Sequence, residues 1–174
     1  MFSRDPLANP EPLIKRVYAY AAYRVGDGPD AEDVTSDTLE RALRYRDSFD
    51  PRKGDPAAWL IGIARRSVDD FYRRRQPTFA EPPEAAGSVD IEGDTARRLE
   101  LAAALARVDE RERELIALRY GADLTARQIG EVLELSTNAV EVALHRALGR
   151  LREVLSEDAA AGVHATSEVK AAAL

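Results

Sequence analysis

Four carboxylates recur at intervals of three, four and three residues early in the chain. They are Asp30, Asp33, Asp37 and Glu40. In a helix this spacing places all four side chains on one face. Arg41 and Arg44 follow at i,i+4 spacing and can pair with the last two acids. The face is therefore either a solvated, salt-bridged surface or a docking surface for a basic partner helix.

A basic cluster follows later in the first half of the chain. Its arginines are Arg65, Arg66, Arg73, Arg74 and Arg75. With Phe71 and Tyr72 interleaved, the cluster could grip a phosphate backbone and stack on unpaired bases. Two acids, Asp69 and Asp70, also lie here, at i,i+4 spacing from Arg73 and Arg66, respectively. That spacing favours ion pairs on an ordinary surface, so both interpretations stay open.

Residues 125–152 have the pattern of a short helix, a tight turn and a longer helix, which is typical of a helix-turn-helix. Seven polar or exposed positions of the longer helix are candidate DNA contacts: Thr137, Asn138, Glu141, Val142, His145, Arg146 and Arg150. Asparagine suits adenine, glutamate accepts from cytosine N4, and valine can touch a thymine methyl group. The two arginines suit phosphates. The alternative is a plain helical hairpin with a solvated outer face.

Helical periodicity dominates the first 75 residues, and no alternating pattern predicts a strand. One apolar face recurs at Leu13, Val17, Ala21 and Val25. A second helix is predicted over about 30–46, with Pro29 at its first position. Asp55 and Pro56 predict the start of a third helix that ends near Arg75. Its predicted buried residues are Leu60, Ile63, Ala64 and Phe71, with Trp59 and Val68 at the edges.

The second half of the chain also predicts helices, the first over about 96–107. Asp109 with Glu112, and Thr125 with Gln128, have the spacing of capping boxes. The two helices that they open are predicted to end at Gly121 and Leu133. Ser136 is placed to cap the last helix. The predicted buried face of that helix is Val140, Leu144, Leu148, Leu151 and Leu155.

Residues 76–95 are rich in proline, glycine and acidic residues and contain no lysine or arginine. This composition is typical of a linker with little fixed structure, and it carries much of the net charge of −6. The sequence therefore predicts an all-α fold of two small helical domains, 1–75 and 96–156, joined by a flexible acidic linker. Such a linker allows the two domains to sit well apart. Residues 157–174 are predicted to form a disordered tail.

Several classes of function are disfavoured by what the sequence lacks. The 174 residues include no cysteine and two histidines, so disulfides and thiolate sites are excluded and a histidine-built metal site is disfavoured. No nucleophile–base pair or phosphate-binding loop is present, and we expect no catalytic activity and no cofactor. The sequence has neither a signal-peptide core nor an apolar run of the roughly 20 residues that span a membrane. We expect a cytoplasmic protein without membrane insertion.

Three segments, in order, resemble those of bacterial sigma factors. DAEDVTSDTLERAL at 30–43 is similar to the region 2 helix, and WLIGIARRSVDDFYRRR at 59–75 resembles the promoter-melting segment that reads the −10 element. Residues 109–155 resemble region 4. The order of the segments, the linker and the short length match the extracytoplasmic-function class (ECF, group 4). That class keeps the region 2 helical bundle and the region 4 helix-turn-helix.

The resemblance implies roles for the matched positions. The acidic face on the second helix would dock on the β′ clamp helices of the RNA polymerase core, and the β flap would be a further contact. The −10 DNA would be bound by the third helix and the loop before it: Arg52, Lys53, Trp59, Arg65, Arg66 and Arg73. The helix over 137–150 would read the −35 element of the promoter. An anti-sigma factor is an expected partner, and the free chain is expected to be a monomer.

Some positions depart from the family pattern. Glu141-Val142-Ala143 replaces a Lys-Ser-Arg-like stretch, which leaves the −35 sequence open. Glu134 stands where a turn glycine is common, so the turn carries a strain of roughly 1 kcal/mol. Arg66 occupies a position that is often asparagine, and Leu39 and Leu43 replace larger aromatics. The second function considered is a stand-alone helix-turn-helix regulator, which would bind a palindromic duplex as a dimer without polymerase.

Overall fold

The computed structural model of the chain describes residues 5–75 and 92–172, with side chains over 5–75 and 95–157. These residues form helices and turns with no strand, which confirms the expected all-α class. The N-terminal unit consists of α1 (Pro10–Val25), α2 (Pro29–Tyr45) and α3 (Pro56–Arg74). The C-terminal unit consists of α4 (Glu92–Arg107), α5 (Glu110–Ile116), α6 (Ala126–Leu133) and α7 (Thr137–Ala172). Of the predicted linker, residues 76–91 lie outside the described residues.

The second and third helices of the N-terminal unit begin where the sequence predicts, at Pro29 and Pro56. Each has a proline in its first turn, where the missing N–H costs no helical hydrogen bond. At α3, the backbone N–H groups of Ala57 and Ala58 donate to the Asp55 carboxylate at 2.8 and 3.0 Å. This confirms Asp55 as the N-cap of α3. Gly26 and Gly28 have φ values of 94° and 107°, which glycine adopts without strain, and they turn the chain into α2.

Both predicted capping boxes are present in the C-terminal unit. The Glu112 N–H donates to Asp109 at 2.8 Å, and the Thr125 N–H donates to the Gln128 side chain at 2.8 Å. Each reciprocal pair satisfies backbone donors that would otherwise lack a partner at the helix start. Ser136 accepts from the Ala139 N–H at 3.2 Å, as its predicted capping role requires. The positions of α5, α6 and α7 are thus set by local sequence.

The core of the N-terminal unit differs from the prediction at the end of α3. Val68 is fully buried, whereas Phe71 is half-buried. Val68 continues the i,i+4 series from Leu60 and Ala64 and therefore faces α1 and α2. Phe71 lies at the end of the helix, where its ring packs against Tyr72 and under the guanidinium of Arg75.

The buried face of α7 is also shifted from the predicted one. Val140, Leu144 and Leu151 are buried as expected, but Leu148 and Leu155 are half-buried. Ala147 and Val154 are buried in their place. The alternation of four- and three-residue steps keeps these positions on one face of the helix. α7 then continues to Ala172, across most of the range predicted as a disordered tail, where alanine has the highest helix propensity.

The two units share one buried cluster rather than sitting apart. Val17 and Tyr20 of α1 belong to the same apolar cluster as Leu118, Leu124 and Ile129 of the C-terminal unit. All five side chains are inaccessible to solvent. A second, smaller cluster packs α4 and α5 against α7. None of the described helices is long and apolar enough to cross a membrane.

A π-helical turn, Ala117–Gly121, follows α5 and brings the chain against α1. The Ala122 N–H donates to the Ala117 carbonyl five residues earlier, at 2.9 Å. Gly121 is buried, and a Cβ added there would lie 3.0 Å from the Ala19 carbonyl oxygen and from two backbone atoms of Tyr20. The close approach of the two units at this point therefore depends on a residue without a side chain.

Candidate nucleic-acid interfaces

The acidic positions predicted to form one face do so along α2. Asp33 and Glu40 are exposed, and Asp30 and Asp37 are half-buried. Arg41 pairs with Asp37 at 3.1 Å and Arg44 with Glu40 at 2.8 Å, as the spacing predicts. Arg75, from the end of α3, reaches back to Asp30 at 2.8 Å. Among the described residues Asp33 makes no ion pair, so its charge faces solvent.

Asp70 joins α3 to this face through Arg41. The Arg41 guanidinium lies 2.7 Å from the Asp70 carboxylate, and the hydrogen bond that it donates holds the pKa of Asp70 below its ordinary value. Asp70 also pairs with Arg73 at 2.9 Å. The sequence predicts pairs of Asp70 with Arg66 and of Asp69 with Arg73. Neither pair forms among the described residues. Asp70 pairs instead with Arg41 of the neighbouring helix α2 and with Arg73, three residues later.

The loop before α3 presents two of the predicted −10 residues. Arg52 and Lys53 are both exposed. Arg52 pairs with Asp50 at 3.1 Å within the loop, and that hydrogen bond lowers the pKa of the Asp50 carboxyl. Trp59 is half-buried and packs edge-to-face with Phe49, with ring centroids 5.6 Å apart. An aromatic pair beside two cations can both stack on a base and attract a phosphate.

Arg65, another predicted −10 residue, is held by the C-terminal unit. Its Nε donates to Glu114 of α5 at 2.6 Å, and its Nη1 donates to the Val132 carbonyl of α6 at 3.1 Å. Arg66 is exposed on α3, and Arg73 is exposed beside Asp70. Trp59, Arg65 and Arg66 thus lie on one side of α3, where Arg65 faces protein atoms. Arg73 lies beside Asp70 and Arg41 instead.

A cavity of about 660 Å³ separates this side of α3 from the helix-turn-helix. Trp59, Arg65 and Arg66 line it from the N-terminal unit. Glu131, Val132 and Glu134 line it from α6 and the turn that follows. The Gln128 side chain also donates to the Asp55 carboxylate across the two units. Of the −10 candidates, Arg65 is therefore engaged by the C-terminal unit, whereas four remain exposed: Arg52, Lys53, Arg66 and Arg73.

The candidate recognition helix is in a different situation. All seven predicted −35 positions on α7 are exposed: Thr137, Asn138, Glu141, Val142, His145, Arg146 and Arg150. Val142, an apolar side chain, has 43% of its surface accessible. Arg150 makes an ion pair with Glu153 at 3.1 Å. The face can approach a major groove without rearrangement of its own helix.

The turn between α6 and α7 has the geometry that the sequence predicts. Glu134 adopts φ 58° and ψ 41°, the left-handed conformation that favours glycine. Gly130, which the sequence analysis did not single out, is also required there. A Cβ at Gly130 would lie 2.6 Å from the Leu135 carbonyl oxygen. Its position, three residues before the predicted end of α6, is the sequence signal that could have identified Gly130.

Sequence reasoning also missed a buried arginine between the units. The Arg24 side chain is 3% exposed and lies 3.2 Å from Glu110 and 3.3 Å from Glu114. Its Nη1 donates to the Tyr20 hydroxyl at 3.3 Å, and burial raises the pKa of Tyr20. Arg24 sits seven residues after Val17, on the apolar face of α1. A cation at such a position signals a buried partner of opposite charge.

The described residues contain no cluster of three or more histidine, aspartate or glutamate side chains arranged to hold a metal ion. The arrangement offers charged and aromatic binding surfaces. Side chains of these types can form ion pairs with phosphates, stack on bases and hydrogen-bond to base edges.

Two family models match the chain: "Sigma-70 region 2" over residues 11–78 and "Sigma-70, region 4" over residues 104–153. The ECF RNA polymerase sigma factor BldN of Streptomyces coelicolor is 31% identical over 151 residues, which cover 82% of this chain and 57% of BldN. The ECF RNA polymerase sigma factor RpoE of Cereibacter sphaeroides is 31% identical over 134 residues, 72% of each chain. The fold is similar to that of CnrH, solved in complex with the cytosolic domain of CnrY, with a TM-score of 0.62, 26% identity and coverage of 85% and 82%.

Proposed function

The chain belongs to the extracytoplasmic-function sigma factors of RNA polymerase, and from this we propose that it binds the polymerase core and directs promoter-specific initiation. Within that class we assign it to group 4, as a non-catalytic cytoplasmic factor. The observation that carries the proposal is the presence, in one chain, of region 2 and region 4 matches together with an exposed candidate recognition helix that starts at the Ser136 cap.

We assign −35 recognition to the N-terminal part of α7. Asn138, Glu141 and Val142 lie on the first two exposed turns, where a recognition helix meets base edges. Arg146 and Arg150 follow on the same side and would neutralise phosphates. Glu141 and Val142 favour a cytosine and a thymine over the purine contacts that basic residues would make.

We assign −10 recognition to α3 and the loop before it. Arg52 and Lys53 would hold the backbone of the non-template strand, and Trp59 would contact an unstacked base. Arg65, Arg66 and Arg73 extend the same cationic side of α3. A strand bound here would have to displace the contacts that Arg65 makes to the C-terminal unit.

We assign polymerase docking to the acidic face of α2. Asp33 and Glu40 are its most exposed carboxylates and complement a basic helix pair such as the β′ clamp helices. The C-terminal unit would contact the β flap. An anti-sigma factor is a further proposed partner, because the related CnrH was solved with the cytosolic domain of CnrY.

The alternative of a stand-alone helix-turn-helix regulator has less support. It would leave the acidic face on α2 and the region 2 match without a role. Such a regulator would bind a palindromic duplex as a dimer without polymerase. Gel filtration of the free chain with and without duplex DNA distinguishes the two, because the sigma factor is expected to remain a monomer.

Run-off transcription tests the proposal. Purified bacterial core polymerase is assayed with and without the chain on a pool of promoter fragments, and specific transcripts are expected in its presence. Asp33→Arg combined with Asp37→Arg should abolish them, because two positive charges then face the basic clamp helices. Glu100→Arg, at an exposed position of α4, is the control and should retain transcription. Absence of transcripts together with absence of core binding contradicts the proposed function.

A further inference from the structure

We propose that α7 takes up a proton at His145 when it binds duplex DNA, so that its affinity for the duplex rises as the pH falls through neutrality. This inference rests on the proposed function for its meaning, because it makes −35 recognition dependent on pH. Its physical content, a duplex contact that forms only with a charged imidazole, is independent of polymerase.

His145 lies in the middle of the outward stripe of α7. Asn138 and Val142 precede it and Gly149 follows it, at steps of four, three and four residues that keep one helical face. The buried side chains of α7 lie on the opposite side. His145 follows Asn138 by about 10 Å along the helix axis. A helix that sets Asn138 against base edges therefore brings His145 to the same groove or to the phosphates at its edge.

The imidazole of His145 is open to a ligand. The side chain is exposed, and within the described residues it makes no hydrogen bond or ion pair. One turn further on, a Cβ built on Gly149 would lie in open space, with no further group within 4 Å. Because helical side chains lean towards the N-terminus, a longer residue at position 149 would cover the ring. The space left by Gly149 can instead admit a phosphate oxygen.

The fixed charges of α7 around His145 nearly cancel. Glu141 lies four residues before it, and Arg146 follows it directly. Arg150, the next cation, pairs with Glu153 at 3.1 Å. Residues 137–150 therefore present little net charge while the imidazole is neutral, and protonation makes this surface positive. DNA phosphates attract that added charge.

The helices packed against α7 leave the ring to solvent. α4, α5 and α6 contact the buried side of α7. Their charged groups that form ion pairs have partners other than His145: Arg107, Glu110, Glu114, Arg127 and Glu131. The exposed Arg111 and Glu134 likewise form no hydrogen bond or ion pair with it within the part of the chain that the structure describes. The charge on His145 therefore depends on solvent, on the charges of α7 itself and on a bound duplex.

Protonation of His145 and duplex binding are linked. Histidine is the side-chain type whose charge changes between pH 5 and 8. The chain has no cysteine, and its other histidine is His164. A phosphate beside an imidazole favours the charged form, and each unit by which it displaces the titration is a tenfold change in affinity. Each event therefore favours the other.

Fluorescence anisotropy on the full-length chain measures this linkage. Two labelled duplexes are used: the promoter fragment that gives the strongest run-off transcript, and a 24-base-pair duplex of random sequence, which carries the test alone if no transcript is found. Affinity at pH 6 should exceed that at pH 8 by about fivefold. The fall of log affinity with log salt concentration should also be steeper at pH 6 by about 0.9, because one more counterion is released.

Substitutions separate the charge of the ring from its shape. His145→Gln should bind at both pH values as the parent does at pH 8, and His145→Arg should bind as the parent does at pH 6. His164→Gln is the matched control and should keep the pH dependence of the parent. Gly149→Gln should reduce it, because the added side chain covers the ring. Circular dichroism at both pH values checks that each variant is folded.

Proton NMR observes the imidazoles directly. The chain has two histidines, so the variants at 145 and 164 assign the two ring C2–H signals. Addition of the random duplex should move the titration of the His145 signal to higher pH and leave that of the His164 signal in place.

An affinity in the parent that is equal at pH 6 and pH 8 overturns the proton uptake, and so does a pH dependence that persists in His145→Gln. Absence of binding to both duplexes at every pH overturns it as well. Run-off transcription and core binding are measured on the same proteins at pH 7. Absence of both, with the proton-linked affinity intact, contradicts the proposed function and leaves the proton uptake standing.

Discussion

On α3, the Arg65 guanidinium contacts a carboxylate and a carbonyl of the opposite unit. On α7, Asn138, His145 and Arg146 face solvent. Both helices carry side chains suited to nucleic acid, and both start at well-formed caps. They differ in how far tertiary packing engages the side chains. The candidate residues on α7 are exposed, whereas on α3 Arg66 and Arg73 are exposed but Arg65 is held by the opposite unit.

The difference teaches that residue type and helix face do not by themselves define an available surface. Arg65 and Arg146 are alike in sequence, each an arginine on an amphipathic helix. Tertiary packing assigns one to a protein carboxylate and leaves the other to solvent. The predictions below test how strongly the two surfaces are coupled and what each depends on.

The largest expected effect comes from the core that both units share. Leu118 is fully buried in the cluster that joins them. Leu118→Ala should lower the free energy of unfolding by about 3 kcal/mol, through lost burial and the cavity left behind. Urea denaturation followed by circular dichroism should show a single transition at a lower midpoint.

Leu99→Ala is the matched control, because Leu99 is 58% exposed, and it should change the free energy by less than about 0.5 kcal/mol. Two separate transitions, of which Leu118→Ala shifts one, would show that the units are energetically independent. The contrast between the two surfaces would then reflect local chemistry alone.

A second prediction concerns the available surface. Asn138→Ala should weaken binding to a promoter duplex by about 1–3 kcal/mol, because a bidentate base contact is lost. The loss should be equal for the free chain and for the polymerase complex, since the α7 surface needs no rearrangement. Fluorescence anisotropy measures both, with Arg152→Ala as an exposed control on α7. A loss confined to the polymerase complex would mean that the surface on α7 is not available in the free chain.

The turn that orients α7 gives a smaller effect of opposite sign. Glu134 is left-handed, so Glu134→Gly should raise the free energy of unfolding by about 1 kcal/mol. Glu153→Gly, in the regular part of α7, should lower it by about 1 kcal/mol. Duplex affinity is measured alongside by anisotropy. An increase in stability that leaves affinity unchanged marks the strain at Glu134 as incidental to DNA reading.

The smallest effect is a pH dependence of the contact between α2 and α3. The hydrogen bond from Arg41 lowers the pKa of Asp70 from its ordinary value of 3.8. A carboxyl with a lowered folded-state pKa stabilises the fold above its unfolded value and loses that contribution as the pH falls below it. Asp70→Asn should therefore flatten the loss of stability between about pH 5 and pH 2. Thermal melts over this pH range measure how stability changes with pH, and Arg41→Ala should show the same flattening as Asp70→Asn. If Arg41→Ala keeps the pH dependence of the wild-type protein, Arg41 is not the cause of the lowered Asp70 pKa.

Local signals predicted much of the fold. Asp55, Thr125 and Gln128 cap helices as their spacing indicates, and Glu134 is left-handed where a glycine is usual. These features depend on neighbouring residues, which sequence reveals directly. The exact buried faces were less predictable, because the burial of Val68 and Ala147 depends on which helices pack against α3 and α7.

The candidate site was predictable in composition but not in arrangement. The acidic face of α2 and the exposed face of α7 follow from helical spacing. The pairing of Arg65 with Glu114 joins residues 49 positions apart, and that of Arg24 with Glu110 joins residues 86 apart. No local pattern encodes such contacts. They depend on how the π-helical turn and Gly121 seat one unit on the other.

The contacts of Gln128 constrain which substitutions this protein can accept during evolution. Its amide closes the cap of α6 through Thr125 and also reaches Asp55, which caps α3. A change to glutamate would set two carboxylates against each other, and a loss of Asp55 would leave the amide without its distant partner. Substitutions at 55 and 128 are therefore expected to be coupled in relatives that keep the two units together, while each residue also keeps its own helix-capping role.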